Sequence, residues 1–211
     1  NQQILKNLNF EASSGEILGV IGESGSGKSM TANSIIQLLP NGSSLSGEVI
    51  FNQKNLLSFS EYNMCKIRGK DIGFIFQEPM TALNPLKNIG NQVAEVIKIH
   101  SQISFGESLD RAAKILERVG LPQSKFPLSR YPFELSGGQR QRVVIAMAIA
   151  IKPKLVIADE PSTALDVTTQ SKLITLLKNL VIEDNICLIM ITHDLSVIAE
   201  MANNIIIMKE G

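Results

Sequence analysis

Eight residues, Gly22-Glu23-Ser24-Gly25-Ser26-Gly27-Lys28-Ser29, constrain the fold more than any other stretch of the chain. They fit the pattern G-x-x-x-x-G-K-S/T. An apolar run (17–21) precedes them, and a helix-compatible run (28–39) begins at Lys28. A strand, a glycine-rich turn and a helix in that order make a phosphate cradle. The glycines let the backbone curl with its N–H groups pointing inward, and the helix adds the positive end of its dipole. Lys28 would place a full charge on the β- and γ-phosphates of a nucleotide, and Ser29 would offer a hydroxyl to Mg2+. A chance Gly/Ser-rich turn is the competing reading. The strand before and the helix after disfavour it.

The remaining pattern agrees with that opening. Further short apolar runs lie at 72–76, 155–158, 187–191 and 205–208, each long enough for a strand covered on both faces. Helical stretches follow the first run, at 28–39, and the third, at 168–180. Strands alternating with helices predict an α/β domain with a mainly parallel sheet. Residues 48–51 form a weaker strand candidate after the turn-like Asn41-Gly42-Ser43-Ser44. The segment 88–131 differs, with helices and few strand signals. Leu109, Ala112, Ala113, Leu116 and Val119 recur at helical spacing and predict one amphipathic helix ending near Gly120-Leu121-Pro122. The expected organisation is a core of 1–87 and 132–211 with an inserted helical subdomain at 88–131.

Composition excludes several functions. Twenty Lys and Arg balance twenty Asp and Glu, so no basic footprint for nucleic acid or an anionic membrane surface is indicated. The longest apolar run, 143–151, is nine residues, and a bilayer needs about 20. Cys65 and Cys187 have no metal-like spacing. Cys187 lies in an apolar run and reads as a small core residue in a reducing, cytoplasmic compartment. The chain opens at Asn1 with no initiator Met and no secretory signal.

Two carboxylates, Asp159 and Glu160, end the apolar run at 155–158. In an open parallel sheet, ligands sit outside the carboxyl ends of the strands. Asp159 is thereby placed to hold Mg2+ through water, and Glu160 to orient or deprotonate an attacking water. Strands often end in an acidic turn, so the pair gains weight only beside the phosphate loop. His193 ends another strand candidate, in Ile191-Thr192-His193-Asp194. A lone histidine is usually structural. Here the same argument aims it at the nucleotide, where an imidazole could hydrogen-bond a γ-phosphate oxygen. Upstream, Leu135-Ser136-Gly137-Gly138-Gln139 precedes Arg140-Gln141-Arg142 and a helix. It reads either as a glycine-rich helix cap or as a second anion cradle. A second cradle implies a γ-phosphate gripped from both sides, as when two chains meet head to tail.

Together these motifs resemble the nucleotide-binding domain of an ABC transporter. The Walker A loop matches at 22–29, the signature at 135–139, Walker B at 155–160, and the D-loop at Ser162-Thr163-Ala164-Leu165-Asp166. Gln77 matches the Q-loop glutamine and His193 the H-loop histidine. The resemblance spans nearly all 211 residues. Phe76-Gln77-Glu78-Pro79-Met80-Thr81-Ala82-Leu83-Asn84-Pro85 and Tyr131-Pro132-Phe133-Glu134 resemble the dipeptide, oligopeptide and nickel importer group, including tandem peptide and microcin importer ATPases.

The resemblance implies a P-loop NTPase of the ABC type, with an antiparallel β portion beside the parallel core. It implies an importer motor that binds and hydrolyses ATP with Mg2+, peripheral on the cytoplasmic face of the membrane. Residues 22–30, through Met30, would bind ATP, with Ser29, Gln77 and Asp159 around the metal. Ser136, Gly137, Gly138 and Gln139 would grip the γ-phosphate of a second ATP-binding domain in a head-to-tail dimer. That domain could be identical, paralogous or in tandem. Glu160 would be the base, His193 and Gln77 γ-phosphate sensors, and Asp166 the link across the seam. Partners would be membrane permease subunits and, indirectly, a solute-binding protein; nucleic acid is not expected. The alternative is a soluble ABC ATPase acting on ribosomes or DNA. No zinc insert or sustained heptad supports it.

Three departures from the family pattern stand out. Met30 occupies a position where the family often has Thr. The adenine-stacking aromatic lies upstream of Asn1 in the family pattern, and Phe10 reads as core. The family continues past Gly211, so the cassette is expected to extend beyond both ends. Arg140 and Arg142 read as a solvated helix face or subunit contacts. Met147, Met190, Met201 and Met208 read as core filler. His100 reads as surface, and Tyr62 and Tyr131 carry no role.

Overall fold

Five of the apolar runs pair side by side in one parallel sheet. A computed structural model of the chain describes residues 3–163 and 165–211, without the side chains of Pro79 and Met80. Ala164 of the D-loop segment lies outside the described residues. The elements run β1 (Ile17–Gly22), α1 (Lys28–Ile35), β2 (Ile50–Phe51), β3 (Lys54–Asn55), α2 (Glu61–Ile67), β4 (Ile72–Ile75), α3 (Pro79–Ala82) and α4 (Ile89–His100). Then come α5 (Phe105–Arg118), α6 (Gly137–Ile149), β5 (Leu155–Asp159), α7 (Val167–Asp184), β6 (Cys187–Ile191), α8 (Leu195–Met201) and β7 (Asn204–Met208). The sheet order is β4-β5-β6-β1-β7, all parallel, and β2 and β3 form a separate antiparallel pair.

Both faces of the sheet are covered, which is why its strands read as continuous apolar runs. Successive side chains alternate between two cores. Ile17, Ile21, Val156, Ala158, Leu188 and Met190 pack with residues of α4 to α8. Leu18, Val20, Leu155, Ile157, Cys187 and Ile189 pack with Ala32 and Ile36 behind the phosphate loop and with Leu56 and Met64. Burial pushes the Cys187 thiol up to about 11, as expected of a core thiol. Register then places the chemistry. Ile191 aligns with Asp159 on one side and Val20 on the other. The three loops that leave β1, β5 and β6 therefore emerge together at one end of the sheet.

Several expectations shift. The first helix ends at Ile35 rather than 39. Gln37 turns left-handed (φ 52°), and Leu38 N–H closes back on the Asn33 carbonyl at 2.9 Å. The helix expected at 168–180 runs from Val167 to Asp184, started by the Asp166 cap. β3, which no apolar run marks, completes the expected antiparallel portion. Asn52 and Gln53 both have positive φ and form the two-residue hairpin turn that pairs it with β2. β7 is an edge strand, not covered on both faces: Ile205 and Ile207 are exposed, and Met208 reaches the core.

Within 88–131, α4 and α5 pack against each other. Ile89, Val93, Ala94 and Ile97 meet Ala112, Leu116 and Val119 in a core shared with α6. Asn88 caps α4, and Ser104 with Glu107 forms a capping box on α5. Arg140, Arg142 and His100 each make contacts within the chain. Arg142 donates to the Val119 carbonyl at 2.6 Å and so caps the end of α5, while Arg140 Nε donates to the Pro132 carbonyl at 2.7 Å. His100 is partly buried, because the Gly69 turn folds against its ring: a Cβ on Gly69 would lie 3.0 Å from Nε2.

Candidate active site at the carboxyl end of the sheet

The phosphate loop starts where β1 ends. Gly22 has no room for a side chain, since a Cβ would lie 2.3 Å from the Met208 carbonyl oxygen. Gly27 has φ 102°, a conformation that glycine adopts without strain, and its carbonyl accepts from Thr31 N–H as α1 begins. The curled loop closes on its own lysine. Lys28 Nζ donates to the Gly22 carbonyl at 2.8 Å and the Glu23 carbonyl at 2.9 Å. Its ammonium is thereby held, nearly buried, at the mouth of the loop. Ser26 Oγ is buried with no partner. Ser29 is exposed and Met30 is partly buried.

Asp159 ends β5 beside this loop. Burial pushes its carboxyl above the usual range, the Ser29 hydroxyl bonded to it pulls the other way, and the Glu160 charge adds to the rise. Its Oδ1 is buried and unpaired. An orphaned carboxylate oxygen next to a serine hydroxyl fits a hard divalent cation that takes few protein ligands and completes its shell with phosphate and water. Among the described residues, no group of three His, Cys, Asp or Glu forms an all-protein metal cage. A cleft of about 500 Å³ opens here, lined by Ser29, Asn33, Phe74, Phe76, Gln77 and Asp159 among others.

Glu160 follows at once, with φ 47° in the left-handed region, its N–H held by the Ile191 carbonyl at 2.9 Å. Three side chains converge on its carboxylate. Gln77 Nε2 donates to Oε2 at 3.1 Å and Thr163 Oγ1 donates to the same oxygen at 2.9 Å. His193 Nδ1 lies 3.3 Å from Oε1. Gln77 arrives from beyond β4, Glu160 and Thr163 from beyond β5, and His193 from beyond β6. These three strands are adjacent in the sheet. Sequence reasoning aimed Gln77, Glu160 and His193 at the nucleotide but named Thr163 only within the D-loop match, with no contact to Glu160. The signal was available in the three-residue spacing to Glu160, which lets a hydroxyl reach back across a turn.

The signature segment lies elsewhere. Ser136 is exposed and caps α6, in a capping box with Gln139: Gln139 N–H donates to Ser136 Oγ at 3.4 Å and Ser136 N–H to Gln139 Oε1 at 2.9 Å. A Cβ on Gly138 would lie 2.4 Å from Thr169 Cγ2, and one on Gly137 would lie 4.0 Å from Leu165 Cδ2. The contacts described for it are thus with the start of α7, not with the phosphate loop. Asp166 caps α7, accepting from Thr169 N–H at 2.9 Å and its hydroxyl at 2.7 Å. The Thr169 hydroxyl holds its carboxyl below the usual range. Ser136 thus sits exposed at the N-terminus of α6, which carries the positive end of the helix dipole.

Comparison with known proteins shows the family. The family profile described as ABC transporter matches residues 5–163. The oligopeptide transport ATP-binding protein OppD of Bacillus subtilis is 47% identical over 211 residues, covering 99% of this chain and 59% of that protein. OppD of Escherichia coli is 44% identical over 98% of this chain and 61% of its own length. The glutathione import ATP-binding protein GsiA of Salmonella choleraesuis is 44% identical over 98% of this chain and 34% of its own. The chain spans about three-fifths of the OppD relatives it matches. Among solved structures, the dimeric post-hydrolysis ATP-binding cassette MJ0796 bound to ADP and Pi superposes with TM-score 0.86 and 35% identity. The match covers 99% of this chain and 87% of that one.

Proposed function

Because the chain belongs to the ABC transporter family, we propose that it is the ATP-binding and hydrolysing motor of an importer for peptides or related small solutes. The observation that carries the chemistry is the convergence of Gln77, Thr163 and His193 on Glu160, beside the phosphate loop. The relatives named above, each called a transport or import ATP-binding protein, support the importer reading over the ribosomal or DNA one.

Lys28 gives up its loop carbonyls for the β- and γ-phosphate oxygens, where a full charge counts for more than a peptide dipole. Asp159, Ser29 and Gln77 hold Mg2+, which when bound neutralises charge on those phosphates. Glu160 takes a proton from water as the water oxygen attacks the γ-phosphorus, and the bond to the β-bridging oxygen breaks to leave ADP and phosphate. Gln77, which donates to Glu160 in the free chain, and His193, which lies 3.3 Å from it, turn to the γ-phosphate when ATP is present. Each sensor thus has different contacts in the two states, as a switch requires.

The signature residues Ser136 to Gln139 serve the ATP of a partner domain, and Asp166 lines the seam between the two. The segment 88–131 acts as a helical subdomain on a core of 1–87 and 132–211, and contacts permease subunits at the cytoplasmic face. No helix among the described residues is long and apolar enough to cross a membrane. Purification from native membranes in mild detergent, followed by mass spectrometry, tests the permease contact. Co-purifying permeases and a second ATP-binding domain are expected. Ribosomal or DNA-repair proteins in their place would overturn the importer reading.

A further inference from the structure

The geometry points to Thr163 as a positioning residue for hydrolysis: its hydroxyl fixes the Glu160 carboxylate and ties it to the loop that packs on the signature segment. The inference rests on Glu160 being the base. Thr163 holds Glu160 twice. Its N–H donates to the Glu160 carbonyl at 3.2 Å, closing the turn, and its Oγ1 donates to Glu160 Oε2 at 2.9 Å. The turn needs such closure because Glu160 sits at φ 47°, a conformation that costs a non-glycine residue free energy.

The three side chains around Glu160 are not equivalent: Gln77 and Thr163 donate hydrogen bonds to it, and His193 lies beside it. Gln77 and His193 come from neighbouring strands and have a second employment at the γ-phosphate. Thr163 belongs to Glu160's own loop and has none. When ATP draws the other two away, Thr163 alone still holds Oε2. Oε1, which faced His193, is then free for the proton of the attacking water. A carboxylate with one oxygen pinned keeps its second oxygen in one direction, which is what in-line attack requires.

The same loop runs onward to the signature. Leu165 N–H donates to the Ser162 carbonyl at 3.2 Å, and Leu165 Cδ2 would lie 4.0 Å from a Cβ on either Gly137 or Gly138.

The test uses steady-state ATP hydrolysis and ATP binding by the intact protein, with Thr163→Val, Thr163→Ala, Thr163→Ser and Glu160→Gln. Valine keeps the shape and the N–H but deletes the hydroxyl, and alanine serves as a second deletion if valine fails to fold. We expect kcat to fall about tenfold or more in both deletions, the loss of one hydrogen bond to a charged group. The KM and Kd for ATP should stay within about twofold, and serine should restore kcat to within about threefold. A merely structural threonine would lower binding and kcat together, and serine would not rescue selectively. Wild-type kcat in Thr163→Val beside an inactive Glu160→Gln would overturn the inference and leave the base assignment standing. An active Glu160→Gln would overturn the base assignment and, with it, this role.

Discussion

Glu160 shows how a single backbone angle can decide a site. At φ 47° it is bent out of the strand direction, so that its carboxylate faces Gln77 and His193 instead of continuing the pleat of β5. Its identity as the acidic end of an apolar run was legible in the sequence. Its link to Thr163 was not, because it depends on a turn that spacing permits but does not require. The strand, glycine-rich turn and helix start of the phosphate loop were legible, since these parts are local in the chain. Gly22 is the tightest of them. In Gly22→Ala the new methyl meets the Met208 backbone carbonyl, which cannot swing aside as a side chain could. We expect a loss of about 1–3 kcal/mol in urea unfolding, the usual cost of overpacking. ATP affinity should fall with it, since the strand and the loop would move apart.

Caps and crossings matter most at the level of elements. The strands of the parallel sheet and the helices α1, α5, α6 and α7 could be read, the strands because the sheet is covered on both faces and α5 because it carries one apolar stripe. What failed were the ends and the exposures. α1 stops early because Gln37 turns left-handed, and β7 is exposed because it is an edge; neither follows from hydrophobic periodicity. α8 illustrates how a cap serves the site. Asp194, one residue after His193, accepts from Ser196 N–H at 2.9 Å and Val197 N–H at 3.4 Å, while Gln170 Nε2 donates to its other oxygen at 3.1 Å. The Ser196 hydroxyl and these donors hold its carboxyl below the usual range. Asp194→Ala should cost about 1 kcal/mol at neutral pH by thermal or urea unfolding. The sign with pH follows from the lowered value. The capping contribution is present above the unfolded carboxylate range, near pH 3.8, and is lost as pH falls through the lower folded one. The variant should therefore lose less stability than the parent on acidification.

Across the whole molecule, the segment 88–131 is joined to the rest by contacts that sequence reading assigned to solvent or left unassigned. Arg142 caps α5 from α6, and Arg118 bonds Glu183 at 2.6 Å and also Asp184, two acids gathered at the carboxyl end of α7. His100 closes against the Gly69 turn, 31 residues upstream, which no local pattern announces. Burial lowers the His100 pKa from its ordinary 6.5, Lys70 lowers it further, and Asp71 opposes them. A depressed histidine contributes stability above the unfolded value, and that contribution is lost as pH falls through the folded one. Denaturation midpoints of the parent should therefore drop as pH falls below about 6.5, and His100→Gln should be flatter over that window. An identical slope in the two would contradict the packing described for this ring. The most direct test of the account is the fate of ATP on Glu160→Gln, measured as bound nucleotide after rapid quenching and as phosphate released, with Lys28→Ala alongside. The account predicts that Glu160→Gln retains uncleaved ATP and releases phosphate at less than about a hundredth of the parent rate, while Lys28→Ala binds little ATP at all. Phosphate release by Glu160→Gln near the parent rate would contradict it.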